Sequence, residues 1–492
     1  MSYVSINFLI FIIVLALIYY LFPKKYRYFI LLIGSIYFYF LISKQYIIFI
    51  ILSSIVIYLS ARLMNKYEKK KKLILVISVL VNLGFLAVLK YNNFFASLIN
   101  PIFKVIGFKI PYHKFILPIG ISYYTLEAIS YVTDVYRKKY PSEKNYFKVL
   151  LYLIYFPTIV EGPISNYGKL SKTLFNQEKF NYDRFVSAWV LIFWGFFKKL
   201  VIADRAGIFV ESVFQKNYGG SALVVAIILY TIQLYADFSG SIDVVRGTSE
   251  IFGIDLEENF KRPFFSKSIQ EFWRRWHITL GAWLKNYIFF PISLSKVNMK
   301  LNSKLRKWKL KHFSKFIITA FPLLFVWFAN GLWHGASWKY VLYGMYYYVL
   351  MMLGILFAPV LNAVISLFKI NTKVWSYKLF QALRTTIIVC FGMFLFRVSD
   401  INQMIIMINN KASVNLLKLG LKQMDFIILF VGVFVLLVVS ILQEFNIDVR
   451  KSLNCQNLVF RWIIYYILIF AIIIFGVYGP GYSAQSFIYG GF

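Results

Sequence analysis

Cysteine, histidine and acidic side chains are all scarce in this chain, and each scarcity removes a class of function. The two cysteines, Cys390 and Cys455, lie in or beside apolar segments with no CxxC spacing, which leaves neither a disulfide framework nor a thiolate metal site. Four histidines, His113, His277, His312 and His334, include no pair at HxxxH or similar ligand spacing, so no metal site is expected. Charged residues make up only 15% of 492, and 20 Asp and Glu stand against 54 Lys and Arg. Internal repeats, low-complexity linkers and stretches polar enough for a separate soluble domain are also missing. The chain reads as one membrane domain over residues 1–478 with a short tail, 479–492.

What fills the space is apolar. The composition is 60% hydrophobic and 20% aromatic, with a mean hydropathy of +0.67, far above soluble usage. A bilayer core takes about 20 mostly apolar residues per helix, and runs of that kind recur from 6–22 through 462–478. The expectation is an all-α polytopic helix bundle of about a dozen spans. The first run is followed directly by Lys24, Lys25 and Arg27 and lacks a basic leader and a small-residue cleavage site; it reads as a retained helix.

The formal charge of +34 would suggest nucleic acid in a soluble protein. Here the positives cluster in inter-helix loops, "KYEKKKK" (66–72), "YRKKYPSEK" (136–144) and "SKVNMKLNSKLRKWKLKHFSK" (295–315), where they anchor a cytoplasmic face to membrane lipid headgroups. No nucleic-acid partner is expected. Placing the strongest early clusters inside puts the N-terminus outside the cytoplasm. Arg450, Lys451 and Arg461 precede the last run, so the C-terminus is also expected to be extracytoplasmic, in a multi-pass protein of the plasma membrane.

Polar groups inside such a chain are costly and tend to face an interior cavity. "YTIQLYADFSGSIDVVRG" (230–247) carries Gln233, Asp237, Ser239 and Asp243, with Gly240 expected to interrupt the helix. For the two aspartates an ion-pair or capping role competes with direct chemistry. In "SKSIQEFWRRWHITLGAWLKNYIFFPI" (266–292), Ser268 followed by Glu271 fits a capping box and Pro291 a stop, predicting one helix of about 22 residues. Trp273, Trp276, His277, Leu280 and Leu284 then share a face, and Glu271 pairs with Arg275 at i, i+4. An interfacial Trp and Arg belt has no need of His277.

"NGLWHGASW" (330–338) follows a plain apolar span. Asn330, Gly331 and Gly335 are expected to break it and Ser337 to cap the next helix, which puts His334 at a turn facing protein or a cavity. His334 is either a packed, hydrogen-bonded imidazole or a neutral base able to take a hydroxyl proton. His113 and His312 sit in Lys-rich loops and no catalytic role is expected of them. On residues alone three readings remain: a membrane transferase, a transporter relaying protons through Asp and His, and an inert assembly subunit.

The motifs narrow this. "FWRRWHITLGAWLKNYIFFPI" and, beyond the basic loop, "GLWHGASWKYVLYG", together with "LPIGISYYTLEAISYVTDVYR" (117–137), "YFPTIVEGPISNY" (155–167), "GFFKKLVIADR" (195–205) and "LYADFSGSIDVVRGTSEIFGIDLEENFKRPF" (234–264), resemble the membrane-bound O-acyltransferases over nearly the whole chain. The likeness is to the bacterial branch that includes the alginate O-acetyltransferase membrane subunit and the D-alanyl transferase of teichoic acids. The resemblance implies a helix bundle with a central tunnel in which a cytoplasmic acyl donor and an extracytoplasmic acceptor meet at one histidine. His334 matches the catalytic position and His277 the second histidine; Asp237, Asn286, Trp333, Trp273 and Asn330 would line the tunnel or support them. It implies no resident cofactor, an acyl donor expected to be acetyl-CoA, a polysaccharide acceptor, and a secreted or membrane-anchored acetyltransferase of the serine-hydrolase-like type as partner. Glu161, Asn286 and "SLSK" (293–296) depart from the family pattern and leave donor and acceptor open. The tail "SFIYGGF" ends in an F-x-Y-x-x-F pattern, Phe487, Tyr489 and Phe492, which is either an interfacial anchor or, by resemblance, a device that brings Tyr489 to His334 as an acyl relay.

Overall fold

The computed structural model describes residues 2–478 apart from 105–106, 108, 114, 177–178, 306–310, 412–414 and 417–418. Tyr489 and the rest of the aromatic tail lie outside the described residues. Every regular element is helical, and one isolated bridge, Phe260 to Trp276, is the sole extended pairing among the described residues. The all-α polytopic expectation holds.

Among the described residues, nine stretches are long and apolar enough to cross a membrane, and one of them, Lys24–Lys66, holds two helices, Arg27–Ser43 and Ile47–Lys66; of the expected runs, the first forms the shorter Ile6–Leu21, and two others also fall short. The run at 116–135 forms Ile121–Tyr136, 16 residues with almost every side chain buried, and the run at 148–160 forms the nine-residue Tyr146–Ile154. At 1.5 Å per residue these reach about 24 Å and 14 Å, short of a hydrocarbon core of about 30 Å. They are apolar because protein surrounds them. Asparagines start several helices: the side chains of Asn145, Asn166, Asn181 and Asn457 each accept an N–H of the first turn, a contact worth about 1 kcal/mol apiece.

The chain forms two compact units: Met1–Asp204 with Tyr235–Glu258 and Phe445–Phe492, and Arg205–Leu234 with Asn259–Glu444. In the first, Gly220–Ile251 enters as one unbroken helix, so Gly240 does not interrupt it as expected. A Cβ at Gly240 would sit 2.9 Å from the Gly195 carbonyl oxygen; this glycine is kept for backbone contact with Tyr182–Phe196, and tertiary packing outweighs the ~1 kcal/mol it costs a helix.

After Phe196 the helix widens into a π turn, Phe197–Ala203, a form that inserts one extra residue and re-aims side chains. Two consecutive lysines thereby both point inward. Lys198 Nζ lies 2.7 Å from Asp243 and 3.0 Å from Ser239 Oγ, and Lys199 Nζ lies 2.7 Å from Asp237 and 2.8 Å from Asp204. Asp237 and Asp243 are thus ion-paired, as burial of charge requires. The Val477 N–H donates to the Leu200 carbonyl at 2.9 Å, fixing the chain to the π turn just before the tail begins.

In the second unit, Lys311–His334 and Trp338–Leu356 form an antiparallel hairpin. The first of these helices does not break at Asn330 and Gly331 but continues to His334. Gly331 serves close packing instead, since a Cβ there would stand 2.4 Å from the Tyr340 carbonyl oxygen. Ser337 occupies the cap position of the next helix with extended backbone, without a side-chain capping bond.

Candidate active site

Residues 268–293 are not the single helix that their periodicity predicts. Ser268 does cap, accepting from the Glu271 N–H at 3.2 Å, and Glu271 reaches back to the Lys267 N–H at 2.9 Å. Arg275 pairs with Glu271 at 2.8 Å as expected, and also with Glu444, which Arg262 bonds as well. But the helix Ile269–Arg275 stops at Trp276, and His277 takes a left-handed backbone, φ 47° and ψ 52°, before Ile278–Leu284 starts. For a residue with a Cβ that conformation costs roughly 1–2 kcal/mol.

The offsetting contacts come from Asn259–Lys261. The Lys261 N–H donates to the Arg275 carbonyl at 2.8 Å and the Ile278 N–H to the Asn259 carbonyl at 3.0 Å. The Asn259 side chain does more. Its Oδ1 accepts from the Thr279 N–H at 3.1 Å and from Thr279 Oγ1 at 3.0 Å, and lies 3.2 Å from His277 Nδ1. A backbone N–H donor identifies that amide atom as oxygen, so Nδ1 must carry the hydrogen and Nε2 is left as the lone-pair nitrogen. His277 is 3% exposed, and burial pulls its pKa down to about 3, so the ring is neutral throughout the physiological range.

His334 ends its helix, also 3% exposed, inside an aromatic cage. Its ring centroid is 4.9 Å from Trp333, 5.2 Å from Phe396 and 5.8 Å from Tyr343. Trp333 stands 5.4 Å from His277 as well, touching both imidazoles. The two histidines line one cavity of about 310 Å³ with Trp273, Trp276, Trp327 and Asn330. Leu280 and Leu284 line it too, so the face expected for the unbroken helix is assembled, though by a bent segment. Exposed Arg274, Gly281, Ala282 and Lys285 form its outer rim.

Asp237 is held in the other unit by Lys199, and Asn286 sits in a second π turn, Lys285–Phe289, beside the rim residue Lys285. No group of three or more His, Cys, Asp or Glu able to hold a metal occurs among the described residues. Sequence reasoning missed Asn259, whose role depends on a partner 18 residues away, and it missed Trp327, Arg274 and Lys285. Helical spacing was the available signal for Trp327: residues 323, 327, 330 and 334 fall on one face.

The sequence model of MBOAT, the membrane-bound O-acyltransferase family, matches residues 39–398. The chain belongs to that family. This O-acyltransferase is 30% identical over 392 residues to the probable alginate O-acetylase AlgI of Pseudomonas syringae pv. tomato, covering 78% of this chain and 70% of the relative. It is 29% identical to the peptidoglycan O-acetyltransferase of Helicobacter pylori, over 56% of this chain and 54% of the relative. With the teichoic acid D-alanyltransferase of Bacillus subtilis it shares 30% identity over 49% of this chain and 60% of the relative. The chain thus spans little more than half the length of the last two.

For a membrane-bound acyltransferase the arrangement has definite chemical capacity. Two imidazoles with different surroundings face one apolar space. That space is large enough for an acyl group with part of its carrier and is rimmed by two cations.

Proposed function

We propose that this acyltransferase O-acetylates hydroxyls of an exported cell-surface polysaccharide, moving acetyl across the membrane from a cytoplasmic thioester, acetyl-CoA. The observation that carries the reading is His334 at a helix end in the cavity, within a chain whose relatives are named for acylating cell-surface polymers. His334 acts as general base. It takes the acceptor hydroxyl proton as the oxygen attacks the acyl carbon; the C–S bond breaks and the departing thiolate takes up the proton. His277, whose pKa of about 3 makes it a poor proton acceptor, orients groups through Nε2. Arg274 and Lys285 at the rim suit the phosphates of the donor.

In this reading both termini lie outside the cytoplasm, and a secreted or membrane-anchored acetyltransferase completes delivery to the polymer. Tyr489 is the relay: a phenol with an ordinary pKa near 10 is a better leaving group than a sugar hydroxyl, so a tyrosyl ester formed at His334 can be passed outward.

Loss of a general base typically costs 10² to 10⁴-fold in rate. A His334→Ala strain should therefore lose surface O-acetyl at normal protein abundance, and wild-type acetylation there overturns the reading. Tyr489→Phe should lose it too; normal acetylation in that strain leaves the tail an anchor. The Bacillus subtilis relative favours a second reading, transfer of D-alanine to teichoic acid. Surface D-alanyl ester, not acetyl, lost in His334→Ala would select it. A proton-coupled exporter would relay protons through Asp237, Asp243 and His277; ion pairing of both aspartates to lysine argues against that.

A further inference from the structure

One buried carboxyl plays no part in the site. Glu161 lies on the loop between Tyr146–Ile154 and Tyr167–Leu174, wholly inaccessible to solvent, and it is one of the residues that depart from the family pattern. Neither of its side-chain oxygens has a hydrogen-bond partner among the described residues. The groups that face it are Tyr3 from the N-terminal segment, Asp237 and Ser241 from Gly220–Ile251, and Lys199 from the π turn Phe197–Ala203, all within the first unit. The donors among them bond elsewhere. The Tyr3 hydroxyl donates to the Phe156 and Pro157 carbonyls at 3.0 Å, the Ser241 hydroxyl to the Phe238 carbonyl at 2.9 Å, and Lys199 to Asp237 and Asp204. A carboxylate buried without a donor is strongly disfavoured, and such a group neutralises by binding a proton. Burial and, after it, the charge of Asp237 hold the Glu161 proton on well above the usual carboxyl range.

We infer that Glu161 carries a proton in the folded enzyme and is a switch at the root of the tail: its ionisation at alkaline pH draws Lys199 from its fork to Asp204 and Asp237 and frees the chain at Val477. The proton passes to hydroxide, leaving water and a third carboxylate beside Lys199. That carboxylate repels Asp237 and attracts the ammonium whose two pairs hold the π turn. Leu200 is the next residue, and its carbonyl accepts the Val477 N–H at 2.9 Å. A shift in the turn therefore reaches the last described residues before the tail. Since the folded carboxyl keeps its proton to higher pH than an exposed one, the arrangement is whole at acidic and neutral pH and is lost as pH rises; buried glutamates can hold a proton to about pH 8–9. The inference does not depend on which acyl group the enzyme moves.

The test uses the full-length enzyme in nanodiscs and needs no substrate. Infrared spectra near neutral pH should show the C=O stretch of a protonated carboxyl, and Glu161→Gln should lose it. Glu127 is buried as well and accepts the Ser165 N–H at 3.0 Å; Glu127→Gln separates its band from that of Glu161. Exchange of the Val477 amide hydrogen is then followed in wild type and in Glu161→Gln at each pH, so that the intrinsic rate cancels. The ratio of the two rates should be about one below neutral pH and rise about three- to tenfold by about pH 9, the net contribution of one hydrogen bond. Glu161→Met, of similar length and unable to ionise, carries the same expectation where the glutamine variant does not fold. Absence of any carboxyl band assignable to Glu161 would overturn the protonation, and a ratio that stays flat to about pH 10 would overturn the switch.

Discussion

Asn259 should be the most damaging single side chain to remove near the cavity, although it is not among the residues that line it. In Asn259→Ala, the His277 Nδ1–H, the Thr279 N–H and the Thr279 hydroxyl lose their shared acceptor, and Asn259, His277 and Thr279 are all at most 4% exposed. The hydroxyl can rotate to another acceptor, but the other two donors cannot. At about 1–3 kcal/mol for each of the two orphaned buried donors, the substitution costs about 2–6 kcal/mol. The left-handed turn at His277 then has less to hold it, and the two short helices gain a route to the straight helix their periodicity favours. His277→Gly should behave in the opposite way at the backbone, relieving roughly 1–2 kcal/mol of left-handed strain while losing the imidazole. Unfolding of reconstituted protein by titrated detergent, compared across wild type, the single variants and Asn259→Ala/His277→Gly, measures both terms, and the double variant should be more stable than the sum of the singles predicts. An Asn259→Ala cost below about 1 kcal/mol, or strict additivity with His277→Gly, would refute the claim that Asn259 holds the turn.

Acid should loosen the same region. The unfolded His277 ring binds a proton near pH 6.5, whereas the buried ring resists until about pH 3; its stabilising contribution is complete above 6.5 and declines as pH falls through that window. His277→Gln should therefore show a shallower loss of stability between pH 6.5 and 4 than wild type, and an identical slope would count against a buried neutral imidazole. Lys199→Met leaves Asp237 and Asp204 without their shared cation and should cost about 3–5 kcal/mol, seen as loss of folded, monodisperse protein; restoration by Asp237→Asn in the same chain would mark the defect as electrostatic.

Local rules made much of this legible. The Ser268 cap and the Glu271–Arg275 pair follow from spacing over four residues, and the apolar runs became helices. His334 was found where a span gives way to Gly335 and Ser337. The misses at His277 and Gly240 share one cause: the deciding partner is distant in the chain. His277 breaks its helix because Asn259 and Lys261 bind around it, and Gly240 stays helical because Gly195 approaches it. The runs at 116–135 and 148–160 are apolar for burial in protein, which hydropathy does not distinguish from burial in lipid.

The π turn at Phe197–Ala203 gives this chain a sensitivity to length as well as to residue type. An α-helix advances about 100° per residue, so two neighbouring lysines on an ordinary helix diverge by that angle. Here the additional residue supplies the slack. Deleting one residue between Phe197 and Ala203 would keep every charge in the sequence yet swing Lys198 or Lys199 off its aspartate and withdraw the Leu200 carbonyl from Val477, where the chain leads into its tail. A deletion of that kind is expected to be worse tolerated than a substitution of any residue in the turn other than the lysines themselves.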